Sequence, residues 1–106
     1  MYKIALVCEN GASTGLCVQK MKAAAQEIGV EAEIAAHSFT QMDNLVKDMD
    51  VLLIGPQLSY RVDAFKQTYS SYAHKIALIN PMDFGMMEGE KILRAAMLVA
   101  DNNRHA

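Results

Sequence analysis

The residues with the most chemical potential lie near the start of the chain, in "ALVCENGASTGLCVQKM", residues 5–21. Cys8 ends an aliphatic run and is followed by Glu9, Asn10, Gly11, Ala12, Ser13, Thr14 and Gly15. Gly11 and Gly15 permit positive φ and close backbone approach, while Ser13 or Thr14 can cap the helix predicted by the residues after them. Successive backbone N–H groups in such a bend, backed by the positive end of a helix dipole, make a nest of phosphate size. The same field favours a thiolate, since cysteines at helix N-termini can move from a pKa of about 8.5 to between roughly 3.5 and 7.5. A thiolate facing a ring of amide donors can attack a phosphoryl group and hold the covalent product, so the loop suggests a phosphocysteine at Cys8. The alternative is a small buried residue that closes a strand, as cysteines often do. A cysteine and a glycine-rich turn by themselves leave both readings standing.

The other candidate groups are less suggestive. Cys17 falls on the inward stripe of the first helix, with Met21, Ala24 and Ile28, and reads as a packing residue. The two cysteines lack the count of a disulfide scaffold and the C-x-x-C spacing of zinc or thioredoxin-like sites, which points to a reducing compartment. His37, His74 and His105 are scattered without metal-ligand spacing, and no metal or cofactor is expected. Most of the eight methionines lie on helical apolar faces, where they fill gaps.

Four short aliphatic runs must position the loop: "KIALVC" (3–8), "EAEIAA" (31–36), "DVLLIG" (50–55) and "KIALIN" (75–80). Each precedes a helix-like segment, giving β-α-β-α-β-α-β-α. Gly29 stops the first helix. Ser38 is an N-cap candidate for a second that carries Phe39, Met42, Leu45, Val46 and Met49. Leu58, Val62, Phe65 and Tyr69 mark the third. Ile92, Leu93, Ala96, Val99 and Ala100 mark the fourth, ahead of a polar tail "DNNRHA". Three of the strands look buried on both faces, so the expected fold is an open four-stranded parallel sheet with helices on both sides. Ligands of such sheets sit beyond the carboxyl ends of the strands, which is where the Cys8 loop belongs.

With 106 residues, 52% of them hydrophobic and 21% charged, the chain has the size of a single domain, 1–106, with one core. The net charge of −2 is spread along the chain without a basic block, which argues against a nucleic-acid partner. The longest apolar runs are too short to span a bilayer, and strand-like sequence rather than a signal core follows Met1. The protein is therefore expected to be soluble and cytoplasmic.

Three blocks, "KIALVCENGASTGLCVQKMKAAA", "DVLLIGPQLSYR" and "DFGMMEGEKIL", match in order and spacing those of a known family. Together they resemble the IIB component of the bacterial phosphoenolpyruvate-dependent sugar phosphotransferase system (PTS), lactose/cellobiose/chitobiose type. The resemblance implies that Cys8 accepts a phosphoryl group from a phosphohistidine on the IIA partner. It then passes the group to a β-disaccharide-type sugar bound in the membrane IIC component. It implies too that residues Glu9 to Gly15 hold the phosphoryl oxygens, with Asn10, Gly11, Ala12 and Gly15 contributing backbone amides and Ser13 and Thr14 adding hydroxyls. Gln57 and Tyr60, after Gly55-Pro56, are expected at the site rim or in partner contacts, as is Phe84, which stands where the family commonly has tyrosine. Pro56 also suits a helix start on geometry alone. Glu9 departs from the small or neutral residue usual beside the cysteine, and a carboxylate there would repel phosphate unless it points into water; it is given no binding role.

Two other classes compete. Low-molecular-weight tyrosine phosphatases share this sheet layout and a cysteine after strand 1. They need an arginine six positions on to clamp phosphate bidentately, and here that position is Thr14. A hydrolase also needs a general acid; Asp83 is the one candidate, and it reads as part of a surface turn. A flavodoxin-like binding module would not need Cys8, and no aromatic stands beside the first loop to support a flavin.

Overall fold

The computed structural model describes residues 1–9 and 12–104, with only the backbone path at Ala12 and Ser13. Strand β1 (Tyr2–Cys8) leads to helix α1 (Ala12–Ile28) and strand β2 (Ala32–Ser38). A 3-10 turn (Phe39–Gln41), helix α2 (Met42–Asp48) and strand β3 (Val51–Ile54) follow. A second 3-10 segment (Pro56–Arg61), helix α3 (Val62–Thr68) and a third (Ser70–Lys75) precede strand β4 (Ile76–Leu78). Helices α4 (Pro81–Gly85) and α5 (Gly89–Arg104) complete the described chain. The sheet order is β2-β1-β3-β4 and every pair is parallel, as the alternation of short aliphatic and longer amphipathic segments requires.

Alternate side chains of β1 feed two cores. Ile4 and Leu6 join Cys17, Val18, Met21, Ile92 and Leu93 beneath α1 and α5. Ala5 and Val7 join Met42, Leu45, Val46, Leu58 and Phe65 beneath α2 and α3. Two strands are buried throughout their inner length, β1 and β3, rather than the expected three. As an edge strand, β4 has a neighbour on one side only, and its last residue, Leu78, is 40% exposed.

Phe39 and Leu58 fall in 3-10 turns ahead of α2 and α3, and α4 is a short helix beyond the four expected; two further helix ends differ for identifiable reasons. Helix α1 starts at Ala12 and so absorbs Ser13, Thr14 and Gly15 into its first turn. Thr14, Cys17, Val18 and Met21 form one buried stripe, whose first position is polar and therefore silent in a hydrophobic pattern. Helix α5 runs on through "DNNR", where tertiary bonds hold the polar turn in place. The Tyr2 hydroxyl donates to Asp101 at 2.8 Å, Asn103 Nδ2 donates to the His74 carbonyl at 3.0 Å, and Arg104 donates to the Met1 carbonyl at 2.8 Å and to Asp50 at 3.2 Å. The other expected signals hold. Gly29 takes φ +74° at the end of α1, and the Ser38 side chain accepts from the Thr40 N–H, capping the 3-10 turn that leads into α2 while Gln41 stands at the α2 N-cap.

Helices α1 and α5 cross so closely at Gly89 that a Cβ there would lie 2.5 Å from the Lys20 carbonyl carbon and oxygen. Backbone atoms cannot step aside as a side chain can, so Gly89→Ala forces the helices apart. Overpacking of this kind costs about 1–3 kcal/mol, which in a domain of this size lowers Tm by roughly 4–8 °C per kcal/mol. Gly15 has open space around its Cα, so Gly15→Ala keeps or raises Tm, by up to about 1 kcal/mol of helix propensity. Thermal unfolding followed by circular dichroism separates the two variants, and an unchanged Tm for Gly89→Ala contradicts the close-crossing account.

Candidate functional site

The strand order decides where a site can form. From β1 the chain crosses to β2 on one side and then returns past β1 to β3 on the other, so the crossovers diverge at the carboxyl end of β1. Cys8 is the last residue of that strand, in register with Ser38, and is 4% exposed. Its Sγ lies 3.8 Å from the His37 carbonyl, a weak thiol contact toward β2. On the other flank the Gly55 N–H donates to the Val7 carbonyl at 2.9 Å. A Cβ on Gly55 would stand 3.0 Å from Gln57 Oε1, 3.4 Å from the Val7 carbonyl oxygen and 3.9 Å from Cys8 Cβ. A side chain at position 55 would thus intrude between Gln57 and Cys8. The glycine leaves both against the strand end, and Pro56 opens the following 3-10 turn.

The third wall is the first turn of α1, four residues beyond Cys8. The opening N–H groups of a helix have no intrahelical partners, and the macrodipole makes them the positive end. No acidic residue lies in this first turn to neutralise that end. Ser13 and Thr14 sit within the turn and not at the cap position before it, and Thr14 is 2% exposed, facing inward. Glu9 is exposed to solvent. Asn10 and Gly11, and the side chains of Ala12 and Ser13, fall outside the described residues.

Of the remaining expected residues, Tyr60 lies on the same carboxyl edge and is 73% exposed, whereas Phe84 is a core residue at 7%, packed with Ile79, Ile92 and Cys17 in one cluster. The structure therefore groups Cys8, Gly55 and Gln57, with α1 starting four residues after Cys8, sets Tyr60 outward on the same edge, and turns Phe84 inward. Asp83 lies in the first turn of α4, where Asn80 Oδ1 accepts from the Met82 and Asp83 N–H groups. His37 Nδ1 pairs with Gln41 Oε1 at 3.0 Å, His74 is exposed, and His105 is outside the described residues. Among the described residues no group of three or more His, Cys, Asp or Glu could hold a metal ion. A surface cavity of about 950 Å³ lies between α1 and β2, and one of about 280 Å³ lies against β4 and α5; Cys8 lines neither. Sequence reasoning missed Arg61, whose guanidinium rests 4.5 Å above the Phe39 ring and 5.2 Å from that of Phe65; no local pattern links residues so far apart in the chain.

Residues 3–95 match the family described as "PTS system, Lactose/Cellobiose specific IIB subunit". The chain belongs to this family. The oligo-beta-mannoside-specific EIIB component of Bacillus subtilis (strain 168) is 37% identical over 102 residues, covering 96% of this chain and 99% of its own. The galactose-specific EIIB component of Lactococcus lactis subsp. cremoris (strain MG1363) is 39% identical over 98 residues, covering 88% and 91%. The solution structure of a cellobiose-specific phosphotransferase IIB component from Borrelia burgdorferi superposes with TM-score 0.81 at 32% identity, covering 95% of this chain and 93% of that one. A YwlE mutant from Bacillus subtilis shares the fold alone, with TM-score 0.65 at 11% identity over 97% and 99% of the two chains. The open parallel sheet is thus the layout seen in IIB components and in low-molecular-weight phosphatase-like proteins. The IIB chain accordingly acts in a sugar phosphotransferase system of the lactose/cellobiose type.

The two thiols of this IIB protein should behave differently. Cys17 is wholly buried, and desolvation pushes its thiol above the ordinary value. The folded thiol then keeps its proton to higher pH than the unfolded one. The associated stability is complete below the ordinary thiol pKa and is lost as pH rises above it. In the native protein at neutral pH a thiol reagent should label Cys8 alone, with Cys17 reacting only on unfolding. Mass mapping checks this, and rapid labelling of Cys17 contradicts its placement.

Proposed function

We propose that Cys8 is the phosphoryl carrier of this IIB protein. The observation that carries the reading is a strand-end cysteine followed, four residues on, by a helix whose first turn holds no acidic side chain. The Cys8 thiolate attacks the phosphorus of a phosphohistidine on a IIA protein; the S–P bond forms as the N–P bond breaks, and the imidazole leaves. In the second step a hydroxyl of a sugar held by the membrane IIC component attacks the same phosphorus. The O–P bond forms, the S–P bond breaks, and the proton lost by the hydroxyl balances the returned thiol. The enzyme is on this reading a protein-phosphocysteine–sugar phosphotransferase.

The phosphoryl oxygens are held by backbone N–H groups from Asn10 to Gly15, with the Ser13 and Thr14 hydroxyls assisting, and Gln57 borders the thiol from the β3 side. Amides at a helix terminus suit a group that must be received and then released. The buried Thr14 occupies the place where the related phosphatases carry a clamping arginine, which argues against a hydrolase. Among the described residues no helix is long and apolar enough to cross a membrane. On the family reading the chain is a single domain, 1–106, that works in the cytoplasm and meets the membrane through IIC. Its relatives are named for oligo-beta-mannosides, galactose and cellobiose at nearly equal identity, which is in keeping with a sugar chosen by IIC and not by this chain.

Intact-protein mass spectrometry tests the carrier directly. The wild type is incubated with phosphoenolpyruvate, the general phosphotransferase proteins and a lactose/cellobiose-type IIA. The expected result is one phosphoryl group on the wild type and on Cys17→Ala, and none on Cys8→Ala. Alanine is preferred to serine because a hydroxyl can itself accept phosphate. A phosphorylated Cys8→Ala protein, or an unmodified wild type, would overturn the proposal.

A further inference from the structure

Several large hydrophobic side chains are exposed on the segments at the carboxyl edge of the sheet. Of the seven exposed large hydrophobic side chains among the described residues, five lie there: Leu16 near the start of α1, Tyr60 beyond β3, Leu78 at the end of β4, and Met82 and Met86 around α4. Exposed apolar groups gathered on one face mark an interaction surface. Arg61 adds a fixed cation to this face. Its guanidinium is stacked over Phe39, which follows the register partner of Cys8, and over Phe65. Among the described residues it makes no hydrogen bond or ion pair, so its N–H edge has no intramolecular acceptor. Arg94 and Arg104, by contrast, are both paired with carboxylates.

We infer that Arg61 is a specificity-determining residue of phosphoryl-donor docking, pairing with a carboxylate on the surface of the donor protein. The inference rests on the carrier reading of Cys8. A donor must bring its phosphorylated side chain to Sγ, so its surface has to cover the carboxyl edge. A standard interface of about 800 Å² per partner is a disc of about 16 Å radius. Strands lie about 4.8 Å apart, so a disc of that size centred on Cys8 spans the carboxyl ends of β2, β1, β3 and β4, and Tyr60, Arg61 and Met82 belong to the segments that leave β3 and β4. Arginine and tyrosine are, with tryptophan, the side chains enriched among those that carry binding energy. A guanidinium already held by two rings loses little freedom when a carboxylate takes its fork. The rings cover its face, which leaves the edge to choose the partner.

Single-turnover transfer from a phosphorylated lactose/cellobiose-type IIA to this chain, at several donor concentrations and salt levels, provides the test. Arg61→Met keeps an unbranched side chain on the rings and removes the charge together with the N–H donors that would take the carboxylate. It should raise the half-saturating donor concentration about tenfold with the limiting rate unchanged, and should flatten its dependence on ionic strength. Arg61→Lys should fall between the two. Thermal unfolding of Arg61→Met at the wild-type Tm separates docking from packing. An unaltered half-saturation and salt dependence would overturn the inference while leaving the carrier intact. A lowered limiting rate at unchanged half-saturation would overturn it by placing Arg61 at the reacting phosphoryl group. Absence of transfer to Cys8 in the wild type would instead overturn the carrier reading beneath it.

Discussion

Parallel pairing of β1 with a neighbour on each side is the constraint on which the rest of the structure depends. Register runs from Tyr2 opposite Ala32 to Cys8 opposite Ser38 on one side, and from Ile4 opposite Val51 to Val7 opposite Ile54 on the other. A strand paired on both edges and covered on both faces meets other elements of the fold at its ends, and the loop toward α1 leaves from its carboxyl end. Parallel topology brings the ends of β2 and β3 to the same edge, and the right-handed crossovers return the helices from it. The geometry around Cys8 is therefore a consequence of sheet order. The His37 carbonyl, the Gly55 backbone and the α1 terminus are all there because β1 is central.

How the edge is finished depends on small groups. At position 55 the backbone dihedrals, φ −60° and ψ 147°, are open to any residue, so the glycine is needed for space and not for conformation. At position 89 the space between α1 and α5 makes the same demand. Both glycines set distances between elements, one beside Cys8 and one where the helices behind it cross. The first turn of α1 contributes charge instead of space. It keeps its positive end only while it stays free of carboxylates, and Glu9 just before it is turned to solvent.

Much of this could be read from the residues. The four aliphatic runs, the stop at Gly29, the cap at Ser38 and the strand-end position of Cys8 are local signals, and each appears in the fold. The start of α1 was hidden because Thr14, a polar residue, is the first inward position of its stripe. The end of α5 was hidden because "DNNR" is held by Tyr2, Met1, Asp50 and His74, contacts far apart in sequence. Burial of β4 was overestimated because an aliphatic run does not say whether a strand is central or at an edge. Phe84 illustrates a further limit: a motif position marks a residue the fold needs, and here the ring serves the core beneath α5. The stacking of Arg61 on Phe39 and Phe65 joins three segments that only the folded chain brings together.

The central claim is that the open end of α1 holds a phosphoryl group on Cys8 through backbone amides. Amide ¹H–¹⁵N spectra recorded before and after phosphorylation test it most directly. The account predicts that the largest downfield shifts and the strongest gain in exchange protection fall on the amides of residues 10–15, with small changes along β2 and β4. Shifts concentrated instead at residues 37–41 or 57–61, with the α1 terminus unchanged, would contradict it.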